Sequence, residues 1–241
     1  MATAAYQRVV LKLSGESLGA PDGQGLDFAR ARDLAAELAG LGGLGCGLLV
    51  VVGGGNLLRG RDARAAGLDA VQADRIGMLA TAMNAIALGA LLRAAGAAAR
   101  VLTATPIAPL AEPYTSELAR AALDGGEIVL SAGGLGHPFF STDTAAALRA
   151  IEVGADCLLK ATTVDGVYSS DPRRDPGAVR LPRLSFDEVL ERRLAVMDAT
   201  AFALCRDNGI PIRVFDFSQP GALARVLRGE ALGSLVSQEA S

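Results

Sequence analysis

The chain is nearly without lysine. Of its 23 basic residues only Lys12 and Lys160 are lysines, and the rest are arginine. A solvated surface charge can be either type at little cost, so the two remaining ammonium groups mark places where a guanidinium does not serve. Tryptophan is absent and aromatic residues make up 4% of a composition that is 51% apolar, so the core must be built from Ala, Leu and Val. There is one histidine, His137, so neither a multi-histidine metal site nor a histidine-based triad is expected. Cys46, Cys157 and Cys205 are odd in number and widely spaced, with no Cys-x-x-Cys, so three reduced thiols are expected rather than a disulfide or metal site. The formal net charge is -3, and no Lys/Arg-rich stripe or tail is present, which argues against bulk nucleic-acid binding. The longest apolar run, residues 44–52, is interrupted by glycine and is too short to span a bilayer. No export signal is visible at the N-terminus. The expectation is a cytoplasmic protein with no membrane association.

Short apolar runs alternate with longer amphipathic ones. Strands are expected over residues 6–13, 47–52, 100–104, 127–131, 156–160 and 212–217, with an edge strand at 234–236. Helices are expected over 28–39 and 71–95, from near Thr142, over 194–208 with Gly209 as the stop, and over 220–228. Thr142 or Asp143 is the candidate N-cap of the helix that begins there. The run 47–52 is continuously apolar, the mark of a strand buried on both faces. Such alternation predicts an α/β fold, a three-layer α/β/α sandwich with a largely parallel sheet. The stretch 165–182 is rich in Gly, Pro and charge and is the least regular, with hairpins as its expected form. No repeat and no long linker divides residues 1–241, which read as a single domain.

Four glycine- or lysine-bearing turns fall where apolar strands end, and ligands of open parallel sheets bind beyond the carboxyl ends of the strands. The first is Lys12-Leu13-Ser14-Gly15-Glu16-Ser17, in which Gly15 lets the backbone approach an anion and Lys12 and Ser14 supply donors. The second is Gly53-Gly54-Gly55-Asn56, three successive glycines that expose N–H groups to a phosphate, with Arg59 in reach of the same anion. The third, residues 131–138, leads through Gly133-Gly134-Leu135-Gly136-His137-Pro138 into Thr142-Asp143. The fourth runs from Lys160 through Thr162 and Asp165 to Tyr168, with Asp171-Pro172 beyond. The second turn is not a dinucleotide fingerprint, since Leu58 stands where a glycine is needed, and no Gly-Lys-Ser/Thr of a Walker loop exists. Two lysines, several backbone nests and a carboxylate at a helix start suit phosphoryl transfer, which mostly needs positive charge on the moving group. Asp143 is read as a plain helix cap, as a holder of the lysine ammonium groups, or as an aid to Mg²⁺. Tyr168 is read equally as a packed edge-strand ring or a nucleotide contact.

At these residues the chain resembles the bacterial UMP kinases of the amino-acid kinase family. The blocks that carry the resemblance are Leu11–Glu16, Gly53–Gly60, Asp74–Thr81, Pro138–Asp143, Lys160–Tyr168 and Pro211–Phe215. The resemblance implies transfer of the ATP γ-phosphoryl to UMP with Mg²⁺, in a cytoplasmic homohexamer that feeds pyrimidine nucleotide synthesis. It implies that Lys12, Asp143 and Lys160 are catalytic, with no metal ligand from the protein. It implies ATP contacts from Lys12, Leu13, Ser14, Gly15, Gly55, Arg59, Thr162, Tyr168 and Asp171. UMP contacts would come from Gly54, from Asp74 on the ribose, and from Leu135, Gly136, His137, Pro138, Phe139, Phe140, Ser141 and Thr142. UMP binding and oligomerisation would then belong mainly to the N-terminal part, and ATP binding to the part from about residue 155. GTP activation and UTP inhibition are implied as well, with residues 20–25 matching the region tied to GTP.

The chain departs from that pattern in one loop. Relatives usually carry Gly-Thr-Gly-Asn-Pro where this sequence reads Gly134-Leu135-Gly136-His137-Pro138, and many carry Lys where Thr163 stands. The loss of a hydroxyl and the exchange of an amide are expected to bear on UMP recognition. Two other readings are a family member acting on a different acceptor and a catalytically silent nucleotide-binding protein on the same fold. The two lysines and Asp143 speak against silence.

Overall fold

The computed structural model describes residues 4–194 and 197–239. Nine strands form one sheet in the order β4-β3-β5-β2-β1-β6-β10-β11-β9. They are β1 (Arg8–Leu13), β2 (Gly47–Val52), β3 (Ala99–Thr103), β4 (Glu112–Pro113), β5 (Ile128–Ala132), β6 (Cys157–Thr162), β9 (Arg183–Ser185), β10 (Ile212–Asp216) and β11 (Ser234–Ser237), while β7 (Val167–Tyr168) and β8 (Arg180–Leu181) make a separate two-stranded pair. Every pairing in the large sheet is parallel except β10 with β11. The helices are α1 (Phe28–Ala39), α2 (Gly60–Ala65), α3 (Ala70–Ala94), α4 (Ser116–Asp124), α5 (Thr142–Val153), α6 (Phe186–Glu191), α7 (Ala199–Asp207) and α8 (Ala222–Leu227).

The two faces of the sheet carry two apolar layers, because side chains alternate along each strand. Val9, Leu11 and Leu13 of β1 pack with α1, α3 and α8 through Leu38, Leu88 and Leu223. Val10, from the same strand, belongs to the other layer with Leu49, Leu158, Val214 and the helices α4 to α7. That alternation decides where Lys12 goes. It follows Val10 by two positions, so it shares the face on which α5 lies. α5 buries Ala145, Ala146, Ala147 and Ala150. Small side chains let it sit close to β1 and β6, and its N-terminus reaches the carboxyl ends of those strands.

The expected strands at 47–52 and the helix at 28–39 match the structure residue for residue. Other elements differ in ways with physical causes. The N-cap at 141 is Ser141, not Thr142 or Asp143; its hydroxyl accepts from the N–H groups of Asp143 and Thr144. The helix expected over 194–208 begins only at Ala199, after Asp198 caps it, and residues 195–196 of that span lie outside the described residues. The strand expected at the edge, 234–236, lies between β10 and β9, and β9 forms the edge instead. The helix α4 was not foreseen. Its cap, Thr115, accepts from Leu118 N–H, and its short apolar stripe of Ala119, Ala122 and Leu123 was hidden among alanines. In 165–182 the expected hairpin character is present as the antiparallel pair β7–β8. α3 is 25 residues long and apolar enough by length and composition to cross a membrane. Here it packs along the sheet and buries Ala73, Ala80, Asn84, Ala85, Leu88 and Leu92.

Candidate active site

β1 and β6 are paired so that Val10 faces Leu158 and Lys12 faces Lys160. Both lysines therefore leave the sheet side by side on the α5 face. Asp143, in the first turn of α5, stands above them. Lys12 Nζ lies 2.8 Å from Asp143 Oδ1 and Lys160 Nζ 2.5 Å from Oδ2. All three side chains are mostly buried, with 13%, 12% and 13% exposure for Lys12, Lys160 and Asp143. Burial works to raise the Asp143 pKa, but the charges of Lys12 and Lys160 outweigh it and hold the carboxyl below its usual range. Burial pushes Lys160 down; Asp143 opposes that and Lys12 adds to it. Two mostly buried ammonium groups thus share the two oxygens of one bridging carboxylate. Ammonium groups gathered on the wall of a cleft are a receptor for an anion.

Around this cluster the glycines do different jobs. Ser14 Oγ accepts from Glu16 N–H at the head of the turn Gly15–Leu18. A Cβ on Gly15 would lie 2.5 Å from Asn56 Oδ1 and 2.7 Å from Gly53 O, so the first turn is pressed against the second. The expectation that three glycines expose their N–H groups holds for fewer. Gly53 donates its N–H to Leu13 O, and a Cβ on Gly54 would lie 2.9 Å from both Ala80 Cβ and Gly77 O of α3. Only Gly55 faces open space. Asn56 and Asn84 hold the assembly through reciprocal amide hydrogen bonds of 3.2 and 2.7 Å, while Asn84 also donates to Gly53 O and Asn56 to Gly25 O. Both are buried, and buried amides must be paired in this way. Arg59 forms an ion pair with Glu16 at 2.6 Å.

One hollow lies between the glycine turn, α3 and the loop 133–141. Gly54, Gly55, Asp74, His137, Phe140 and Thr142 are among the residues that line it. Gly133, Gly134 and Gly136 all take positive φ, which makes the loop's tight course affordable only to glycine. Phe139 also takes a positive φ of 70°, unusual for a side-chain-bearing residue, and its N–H donates to Asp74 Oδ2 at 2.8 Å. Leu135 does not line this hollow; it packs against the apolar layer beneath. Pro138, Phe139 and Ser141 do not line it either, and Ser141 is engaged as the cap of α5.

A second cleft opens at the lysines themselves. Lys12, Ser14, Lys160, Thr162, Thr163 and Phe217 line it. It continues past Thr162 into a hollow lined by Val164, Gly166, Tyr168, Asp171 and Arg192. The Thr162 hydroxyl is bound locally to Val164 O and N, and the Tyr168 hydroxyl donates to Asp165 at 2.7 Å. Leu13 has its side chain in the core and its carbonyl on Gly53 N–H. Among the described residues no group of three or more His, Cys, Asp or Glu side chains is placed to hold a metal.

Four residues at this site escaped the sequence reading. Thr81 Oγ1 donates to Met78 O and accepts from Gly133 N–H, tying the 133–141 loop to α3. Asn84 is the other half of the amide pair. Arg149, buried on α5, stacks 3.7 Å from the Tyr114 ring and binds Glu152 at 2.7 Å. Asp198 joins the N-termini of α5 and α7. Thr81 lies within a quoted motif block, but nothing local marked the others.

Residues 7–216 match the amino acid kinase family. Three solved structures are similar over nearly the whole chain. UMP kinase from Bacillus anthracis is 38% identical, with a TM-score of 0.94, over 98% of this chain and 97% of that one. UMP kinase from Ureaplasma parvum is 35% identical, with a TM-score of 0.90, over 96% and 98%. Uridylate kinase from Archaeoglobus fulgidus is 29% identical, with a TM-score of 0.73, over 95% and 99%. With its lysine pair at the carboxyl ends of a parallel sheet and its family match over most of its length, this chain belongs to the amino acid kinase family.

Proposed function

We propose that the chain is a UMP kinase that moves the γ-phosphoryl group of ATP onto the phosphate of UMP, giving ADP and UDP. The observation that carries this reading is the pair Lys12 and Lys160 on the wall of the second cleft, bridged by Asp143, whose sequence neighbour Thr142 lines the hollow of Asp74 and His137. UMP enters the hollow of Asp74, His137 and Thr142, where the Asp74 carboxylate is a ready acceptor for ribose hydroxyls. ATP lies in the second cleft, with its phosphates at Ser14 and Gly15 and reaching toward Gly55 at the edge of the UMP hollow, and its adenosine end toward Thr162, Tyr168 and Asp171. The two nucleotides then meet over the ammonium pair. The UMP side is drawn from residues before about 155 and the adenosine side from residues after it.

The transferring group passes through a loose transition state with charge spread over its oxygens. The acceptor is already an anionic phosphate, so no general base is needed. The protein's work is to align the two phosphates and to set positive charge where negative charge gathers. Asp143 keeps two like charges close enough to act on one phosphoryl group. Mg²⁺, when bound with ATP, would neutralise charge on the phosphates. Both Asp143 oxygens face ammonium groups, which favours the lysine-holding role over a metal-holding one.

Self-association as a homohexamer is part of the same reading, and the exposed apolar residues Ile76, Leu79 and Met83 on α3 support it. So is regulation by GTP as activator and UTP as inhibitor. Residues 20–25 are bound to the glycine turn by Gly25 N–H to Asn56 O at 2.7 Å and Asn56 Nδ2 to Gly25 O at 2.7 Å, which gives such a signal a short route. A cytoplasmic place in pyrimidine nucleotide synthesis follows from the substrates. ADP release over a panel of UMP, CMP, dUMP, glutamate and aspartate tests the assignment. UMP should give the highest kcat/KM, and a preference for an amino acid would refute it.

A further inference from the structure

Asp198 is the N-cap of α7, where its Oδ1 accepts from Ala201 N–H at 2.9 Å. That duty does not account for its other contacts. Oδ2 accepts from Ser141 Oγ at 2.5 Å, and the two oxygens lie 3.0 and 3.1 Å from Thr144 Oγ1. Ser141 and Thr144 sit on either side of Asp143 in sequence. We propose that Asp198 is a positioning residue for phosphoryl transfer, holding the start of α5 so that the Asp143 carboxylate stays between Lys12 and Lys160. The inference rests on the phosphotransfer reading of that cluster.

The donor and acceptor count supports it. Ser141 Oγ accepts from both Asp143 N–H and Thr144 N–H, at 3.0 and 3.1 Å. Both of its lone pairs are therefore occupied, and only its proton is left to give. The atom opposite, 2.5 Å away, must therefore accept. A carboxylate meets that condition. An amide that kept its oxygen on Ala201 N–H would turn its NH₂ toward Ser141, donor against donor. The path from Asp198 to the catalytic carboxylate is thus one hydroxyl long, ending on the backbone amide of Asp143 itself. The charge of Asp198 also acts directly. Lys160 is faced by Asp143 and Asp198, which favour its ammonium form, and by Lys12, which opposes it along with burial.

The test compares Asp198→Asn, Asp198→Glu and Thr144→Val with wild type. The acceptor is whichever of UMP, CMP and dUMP the wild type turns over fastest. For Asp198→Asn the expected result is a kcat lower by about tenfold or more, with both KM values within about threefold, because misalignment acts on the transition state. Its alkaline kcat limb should also move to lower pH, since Lys160 loses one of two supporting carboxylates. Asp198→Glu should restore the position of that limb without restoring the plateau. Thr144→Val should lower kcat while leaving the limb in place. A folded Asp198→Asn with kcat within about twofold of wild type and an unmoved limb would overturn the proposal, leaving a helix cap alone. If Asp198→Asn does not fold, an unchanged kcat in Thr144→Val overturns it equally. A wild type active on CMP or dUMP but not UMP would refute the UMP assignment while this comparison still decides the role of Asp198. A wild type inactive on the whole panel would overturn both.

Discussion

Lys12 and Lys160 stand opposite each other in the register of two parallel strands, and their ammonium groups rest on the two oxygens of a single carboxylate. Like charges this close repel strongly in a buried setting. The arrangement persists because Asp143 lies between them, and it gives the site charge that an incoming phosphate can use.

Lys12→Ala should abolish most turnover with little loss of fold. Asp143 keeps Lys160 as a partner in the variant. Removing a group that stabilises transition-state charge typically costs ~3 kcal/mol or more, a rate loss of about a hundredfold to a thousandfold. Steady-state kinetics beside a thermal melt checks this. A folded variant that keeps more than about a third of wild-type kcat would show that Lys12 is not part of the chemistry.

The pH dependence has a sign. Burial, opposed by Asp143, lowers the pKa of Lys160, so its charge is lost at a pH below the ordinary lysine value. The ammonium is present below that lowered pKa and gone above it. The kcat profile should therefore fall on its alkaline side below pH ~10.4. In Lys160→Arg the guanidinium stays charged, so the plateau should drop while this limb disappears. A limb that remains unchanged in Lys160→Arg would assign it to another group.

Asp74→Asn should mainly raise the KM for UMP. Asp74 lines the hollow proposed for UMP and accepts from the strained Phe139 backbone, so on that proposal its loss weakens binding in ground and transition states alike. The KM for ATP should stay nearly unchanged. A rise in the ATP KM instead would place the two nucleotides at the opposite ends.

The loop that departs from the family pattern separates into two roles. His137 lines the hollow, whereas Leu135 packs on the apolar layer. His137→Asn alone should therefore sharpen selectivity for UMP over CMP, since a site that hydrogen-bonds its substrate rejects analogues more strongly. Leu135→Thr should leave that ratio unchanged and cost about 1 kcal/mol of stability through lost packing. Ratios of kcat/KM for the two nucleotides, with melts for both variants, check this. A selectivity change confined to Leu135→Thr would reverse the assignment.

Much of this was legible in the sequence. β2 was readable because a strand buried on both faces is continuously apolar, and α1 because Asp27 and Gly40 bracket its amphipathic run. The lysine pair was readable because arginine had replaced every other lysine. Its geometry was not, because it depends on the register of β1 with β6, elements about 150 residues apart in sequence. Asp198 was invisible for the same reason: its hydroxyl donor Ser141 lies 57 residues away, and a lone aspartate before a helix reads only as a cap. The glycine turn misled in part. Close packing of Gly15 and Gly54 leaves the same sequence mark as an anion nest, and only the backbone clearances tell them apart.

The most direct test is to follow ADP and UDP together in a reaction of the purified chain with ATP, Mg²⁺ and UMP. The lysine pair should carry the γ-phosphoryl group to UMP, so UDP should appear in step with ADP, and both should fall together in Lys12→Ala. ADP released without UDP, or UDP formed as fast by folded Lys12→Ala as by wild type, would contradict it.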